Sequence, residues 1–173
     1  MSDIAKEAEY AVGTIYLYFK DKQALYHGLA DEKTDELILR VKEKISKAKG
    51  ALEKIRVLIQ EELAYFEENQ DFFRIDFSEG GVDRWAIKDK PSRSTVEKFM
   101  KFLDYITGIV KIAQEENVIK NDLDPKRTAQ LLSGMIKSVI IPWLKDKPLK
   151  EESLKSLSGF ILDIFINGAG KNK

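Results

Sequence analysis

The chain has no cysteine, one histidine and no apolar run long enough to span a bilayer. Without thiols it has no disulfide framework, no thiolate-held metal and no cysteine nucleophile. A single imidazole, His27, leaves no set of ring nitrogens for a metal and little for general acid–base chemistry. A di-metal carboxylate centre in a helical bundle needs Glu-x-x-His pairs, and the residue three before His27 is Ala24. No glycine-rich phosphate loop and no nucleophile elbow occurs. Catalysis, bound metal and cofactor are therefore not expected. The first residues do not read as a signal peptide, so the expectation is a soluble, cytoplasmic protein with no membrane partner.

An excess of positive charge is also missing. Lys plus Arg and Asp plus Glu are 29 each, whereas nucleic-acid binders often carry a basic surplus. Within residues 1–26, Lys6, Lys20 and Lys22 stand against Asp3, Glu7, Glu9 and Asp21, with no arginine. The phosphate contribution to DNA affinity is correspondingly small for that segment.

What is present is helical periodicity, and the fold class it predicts is all-α. Residues 3–26 read as two short helices, a tight turn and the start of a third helix. Ile4, Ala5 and Ala8 share one face of the first, and Ile15, Phe19 and Leu25 face the same small core. Val12, Gly13, Thr14, Tyr16 and Tyr18 stay outside, at the leading end of the second helix, the end that enters a major groove when such a motif reads DNA.

The pattern Ile-Ala-x-x-Ala followed by Gly-Thr-Ile-Tyr-x-Tyr-Phe-Lys-x-Lys-x-x-Leu closely resembles the signature of the tetracycline-repressor (TetR) family of transcriptional regulators. The resemblance implies a helix-turn-helix head, residues 1–26, on a ligand-binding and dimerisation body, residues 27–173. It implies operator contacts from Val12, Gly13, Thr14, Tyr16, Tyr18 and Lys22. Two departures from the family pattern stand out. Members carry a further helix before this motif, whereas here Met1-Ser2 stands where the first of the paired helices begins, so the head is expected to be incomplete and its DNA binding impaired. Where the family turn has Gly, this chain has Glu9-Tyr10, a cost on the order of 1 kcal/mol in a left-handed conformation.

Further along, one helix is predicted from Lys22 to about Ser46, with Asp21 as N-cap, then a break at Gly50 and a second helix to about Asn69. Residues 78–92 are richest in turn formers and read as a connection. A third body helix from about Ser92 to Glu116 is apolar on more than one face and should lie between neighbours. Asp124-Pro125 opens a helix to about Leu144, with Pro142 expected to kink or end it. The last helix is predicted from about Glu151 to Asn167. Glu61, Glu62, Glu67 and Glu68 read as a polar helix face.

The last two helices carry more apolar residues than one internal face takes up, and the family pairs such helices with their symmetry mates. The expected homodimer interface is Leu132, Met135, Ile136, Val139, Ile140 and Trp143 with Leu157, Phe160, Ile161, Ile164 and Phe165; the alternative is that these residues complete a monomeric core. A two-fold dimer also suits a palindromic operator. For a small apolar or aromatic ligand, the candidate lining is Phe66, Phe73, Phe77, Trp85, Phe99, Phe102, Tyr105 and Trp143. Arg74 and Arg84 read first as solvated surface charge, with reception of an anionic group as the alternative. The function read from all this is a ligand-responsive regulator, a repressor released from its operator by a small-molecule inducer. The alternative is a dimeric small-molecule-binding protein whose truncated head no longer binds DNA.

Overall fold

The computed structural model describes residues 1–78, 92–145 and 153–168, with the backbone alone for 75–78. Among the described residues every regular element is a helix: α1 Ser2–Glu7, α2 Val12–Tyr18, α3 Lys22–Lys47, α4 Ala51–Glu68, α5 Gln70–Ser78, α6 Arg93–Glu115, α7 Pro125–Lys145, a 3-10 turn Leu154–Leu157, and α8 Ser158–Asn167. The all-α expectation holds.

Local side-chain caps open three of the helices. The Asp21 carboxylate accepts the Ala24 N–H at 2.7 Å, the Ser92 hydroxyl accepts that of Thr95 at 3.0 Å, and the Asp124 carboxylate accepts that of Arg127 at 2.8 Å. Each replaces an intrahelical partner that a first turn lacks. Between α3 and α4 the chain turns at Gly50 with φ +73°, and Glu116, from the far end of α6, accepts the Ala51 N–H at 2.7 Å. Pro142 does not stop its helix, because α7 runs on to Lys145. The last helix differs from the prediction. Its opening is the 3-10 turn, held by Glu67, whose carboxylate accepts from the Ser153 hydroxyl at 3.0 Å and the Lys155 N–H at 3.1 Å. The turn-rich segment 79–91 lies outside the described residues.

Helix α4 is the hub of the body, packed on α3, α5, α6, α7, α8 and the 3-10 turn. Ile55, Leu58, Ile59 and Leu63 are completely buried, each contributing roughly 1.5–3 kcal/mol of transfer free energy. Helix α6 lies between α3, α4 and α7, as its two apolar faces require.

The same packing corrects the expected dimer surface. Leu132, Ile136, Ile140, Trp143 and Ile161 are buried in the chain's own core. The apolar face of α7 is taken up by α4, α5 and α6 of the same chain. A count of apolar residues on α7 and α8 alone leaves out those neighbours. Met135, Val139, Leu157 and Phe165 pack partly buried against that core, Ile164 is half-buried, and Phe160 is 63% exposed.

In the head only Ala5 and Ile15 are buried; Ala8, expected to face inward, is exposed. Phe19 ties the head to α3, lying so close to Gly28 that a Cβ there would sit 3.1 Å from its ring. After α1 the Tyr10 N–H reaches back to the Ala5 carbonyl at 2.9 Å, which places Glu9 in the left-handed region with φ +58°. That is where glycine is favoured. Glu9→Gly should therefore stabilise the head by up to about 1 kcal/mol, seen as up to about fivefold slower exchange of the α1 and α2 amides. Unchanged or faster exchange would show that the turn carries no such strain.

Candidate functional site

Helix α2 presents an outward face that the chain does not cover. Val12 is 39%, Tyr16 51% and Tyr18 79% exposed, Gly13 is exposed, and Thr14 is half-buried beside Ile15. Lys22 is exposed in the first turn of α3. Of the six predicted contact residues, all but the half-buried Thr14 are exposed. Two further residues join them that the sequence reading did not single out, Leu17 and Tyr10, at 82% and 63% exposure. Their signal was available, since neither falls at the spacing of Ile15 and Phe19.

The eight predicted lining residues do not form one group. Phe66 and Phe73 meet with ring centroids 4.2 Å apart, Phe72 joins Phe73 at 5.1 Å, and Tyr26 of α3 stacks on Phe72 at 6.1 Å. This cluster fills the junction of α3, α4 and α5. Trp143 is buried in the core that α7 shares with it. On α6, Phe102 stacks with Tyr105 at 6.3 Å. Tyr105 instead lines a groove of about 360 Å³ on the α3 side with Ile45, Lys54, Asp104 and Ile112, under the ammonium of Lys42. Phe99 lies beneath the Lys137 ammonium, 3.6 Å from its ring centroid. Trp85 and the Phe77 side chain lie outside the described residues.

Three ionisable groups lie in or against this interior, and the burial of Glu62 corrects the sequence expectation. Glu62, read as part of a polar face, is only 5% exposed. Glu61 and Glu68 do serve such a face, holding Arg40 of α3 at 2.8 and 2.5 Å. Burial pushes the Glu62 carboxyl up to about 7, and the charge of Lys137 offsets this only in part. Burial likewise lowers the Lys137 ammonium, which the charge of Glu62 partly restores. The signal was in the sequence: Glu62 follows Ile55, Leu58 and Ile59 at seven, four and three residues, the spacing of one helix face. Arg74 of α5, expected first as solvated surface charge, has its Nε and Nη2 atoms buried without a hydrogen-bond partner. Among the described residues no group of His, Cys, Asp and Glu is placed to hold a metal ion, and no helix is long and apolar enough to cross a membrane.

The family pattern described as bacterial regulatory proteins of the tetR family matches residues 1–29. The pattern described as the YsiA-like protein C-terminal region matches residues 30–168. The chain is 27% identical over 169 residues to the fatty acid metabolism regulator protein of Bacillus subtilis (strain 168), an alignment covering 97% of this chain and 84% of that protein. Its structure is similar to that of the transcriptional regulator FadR from Bacillus subtilis in complex with stearoyl-CoA, with a TM-score of 0.82 and 26% identity over 98% of this chain and 88% of the other. FadR from Bacillus halodurans, a fatty acid degradation regulator, shares the fold with a TM-score of 0.81 at 20% identity, again over 98% and 88%.

The raised Glu62 carboxyl has a measurable consequence. Its folded value of about 7 lies above the ordinary 4.5, so its contribution to stability is fullest below the ordinary value and is lost as pH rises towards 7. Glu62→Gln should melt at a higher temperature than the parent at pH 8, with the gain shrinking to nothing by pH 4.5. A Gln variant less stable than the parent at pH 8 would show that Lys137 more than compensates the buried carboxylate.

Proposed function

The chain belongs to the TetR family of bacterial transcriptional regulators, DNA-binding proteins and not enzymes, and we propose that it binds its operator as a dimer and is released by a long-chain acyl compound, an acyl-CoA thioester. The observation that carries the effector class is the whole-length likeness to a regulator holding stearoyl-CoA. The body supports it: an aromatic cluster formed by Phe66, Phe72 and Phe73 suits an alkyl chain, and Lys137 and Arg74 add cationic groups to an apolar interior.

Support for the DNA surface comes from the exposed face of α2. Val12, Gly13 and Thr14 would approach base edges, and the hydroxyls of Tyr16 and Tyr18 with Lys22 would reach phosphates. Support for the dimer comes from what α7 and α8 leave uncovered. Leu131 is 68% and Phe160 63% exposed. Near them stand two helical glycines, Gly134 and Gly159, where an added Cβ would meet nothing within the chain. A glycine inside a helix costs roughly 0.5–1 kcal/mol relative to alanine, so a bare backbone with open space beside it suits close approach by a second copy.

The acid excess of residues 1–26 favours a second reading, a dimeric acyl-binding protein that does not hold DNA. One experiment separates the two. Band shifts on DNA from upstream of the chain's own gene, titrated with stearoyl-CoA, should show a complex that dissolves with the thioester and persists with free CoA. Thioester binding without any DNA complex selects the second reading, and DNA binding indifferent to stearoyl-CoA removes the effector.

The dimer has its own check. Phe160→Glu should convert the particle to monomer in light scattering while leaving the helical signal intact. Ile140→Glu should instead unfold the body, because an unpaired charge would enter the core. A Phe160→Glu variant that stays dimeric moves the interface elsewhere.

A further inference from the structure

Arg74 is the one described residue whose buried side-chain donors find no acceptor. Its Nε and Nη2 atoms have essentially no accessible surface and no hydrogen-bond partner. Native proteins satisfy nearly all buried donors. The particular pair matters. Nε and Nη2 lie on the same edge of the planar guanidinium, so their N–H bonds run parallel, the fork that takes two oxygens of a carboxylate or phosphate at once.

The surroundings fit an amphiphile. Arg74 follows the buried Phe73, whose ring meets Phe66 and Phe72, and α5 packs on α7, the helix that carries Lys137 and Trp143. Asp71, an acid one turn earlier on α5, is exposed. Glu62, the buried acid of α4, is biased by its burial towards the neutral form.

We propose that the Nε/Nη2 edge of Arg74 is the receptor for a two-oxygen anionic group of the effector, a carboxylate or a phosphate, with the effector's alkyl chain running along Phe66 and Phe73. The placement of the alkyl chain rests on the acyl reading above; the anion fork rests on Arg74 alone. The two sources of the anion are the carboxylate of a free fatty acid and a phosphate of the CoA moiety.

The test is calorimetric titration of the full chain and of Arg74→Met and Arg74→Lys with palmitate, palmitoyl-CoA and hexadecanol. Thermal melts with pyrophosphate accompany the titrations. Arg74→Met should bind at least one of the two anionic lipids about 10- to 100-fold more weakly, with hexadecanol unchanged and Arg74→Lys in between. A loss for palmitate assigns a carboxylate; a loss for palmitoyl-CoA alone assigns a phosphate. Equal losses for all three lipids, or affinities that do not move while Arg74→Met melts lower, would make Arg74 a structural residue and overturn the proposal. If no lipid binds the parent chain yet pyrophosphate raises its melting temperature and not that of Arg74→Met, the fork stands and the acyl reading falls. If pyrophosphate does nothing either, both fall.

Discussion

Four side chains of α4, Ile55, Leu58, Ile59 and Leu63, are completely withdrawn from water, and the body is arranged around that requirement. A helix of 18 residues cannot hide so much apolar surface against one neighbour, so α3, α6, α7 and α8 are all drawn to it. The opposite side of α4 then becomes available for polar work. Glu61 and Glu68 hold Arg40 of α3, and Glu67 takes the end groups of the 3-10 turn. Glu62 falls on the wrong side of this division. It shares the face that must be buried, and its raised carboxyl follows from helix geometry rather than from any partner.

Helix α3 links the head to this body; its far end is held by apolar burial, with Val41 and Ile45 withdrawn from water, and the part nearer the head carries several polar ties. At about 1.5 Å per residue its 26 residues span roughly 39 Å. Near the head, Gly28 receives the Phe19 ring. In mid-course Asp31 accepts from the hydroxyls of Ser92 and Thr95 at the start of α6, and Lys98 reaches Asp35 at 2.7 Å. Burial works to raise the Asp31 carboxyl, but hydrogen bonds from Thr95, Ser94 and Ser92 and the charge of Lys98 bring it below its ordinary value. Lower down, the Tyr65 hydroxyl lies 2.9 Å from the Lys33 carbonyl and 2.8 Å from Glu36. Such half-exposed contacts are worth little each and re-form readily, unlike the apolar seams of α4. The part of α3 nearer the head thus carries bonds that exchange easily, while its far end is anchored by Val41 and Ile45.

What was legible in the sequence was what is decided locally. The caps Asp21, Ser92 and Asp124, the break at Gly50 and the left-handed turn at Glu9 are settled by side chains within a few residues, and the head pattern is dense enough to carry the family. The apolar stripe of α7 was visible, but nothing in a stripe says which helix covers it. Leu132, Ile136 and Ile140 therefore read as a surface for a second copy when α4 and its neighbours already cover them. The lining of a ligand site failed for a related reason. Tyr105 and Phe102 adjoin along α6, yet Tyr105 opens to a groove on the α3 side. Arg74 gave no local sign, since its burial depends on how α5 settles against α7.

Glu62 and Arg74 both carry costs that the chain's own contacts do not fully offset: Lys137 compensates the buried carboxyl only in part, and the Nε/Nη2 edge of Arg74 has no acceptor. A carboxyl forced towards neutrality and a buried guanidinium edge without acceptors each favour sequences that would replace them with apolar groups of similar size. Retaining such groups makes physical sense where something absent from the chain completes them. A bound effector stabilises the arrangement it completes by mass action, and it biases the head only if its affinity differs between arrangements of α3. An anion on Arg74 meets that condition more readily than an alkyl chain does. Apolar contacts tolerate small shifts of the wall, whereas two parallel hydrogen bonds to a planar fork lose most of their strength when α5 moves by an ångström or tilts. The orientation-sensitive half of the ligand is thus the half able to tell one arrangement from another.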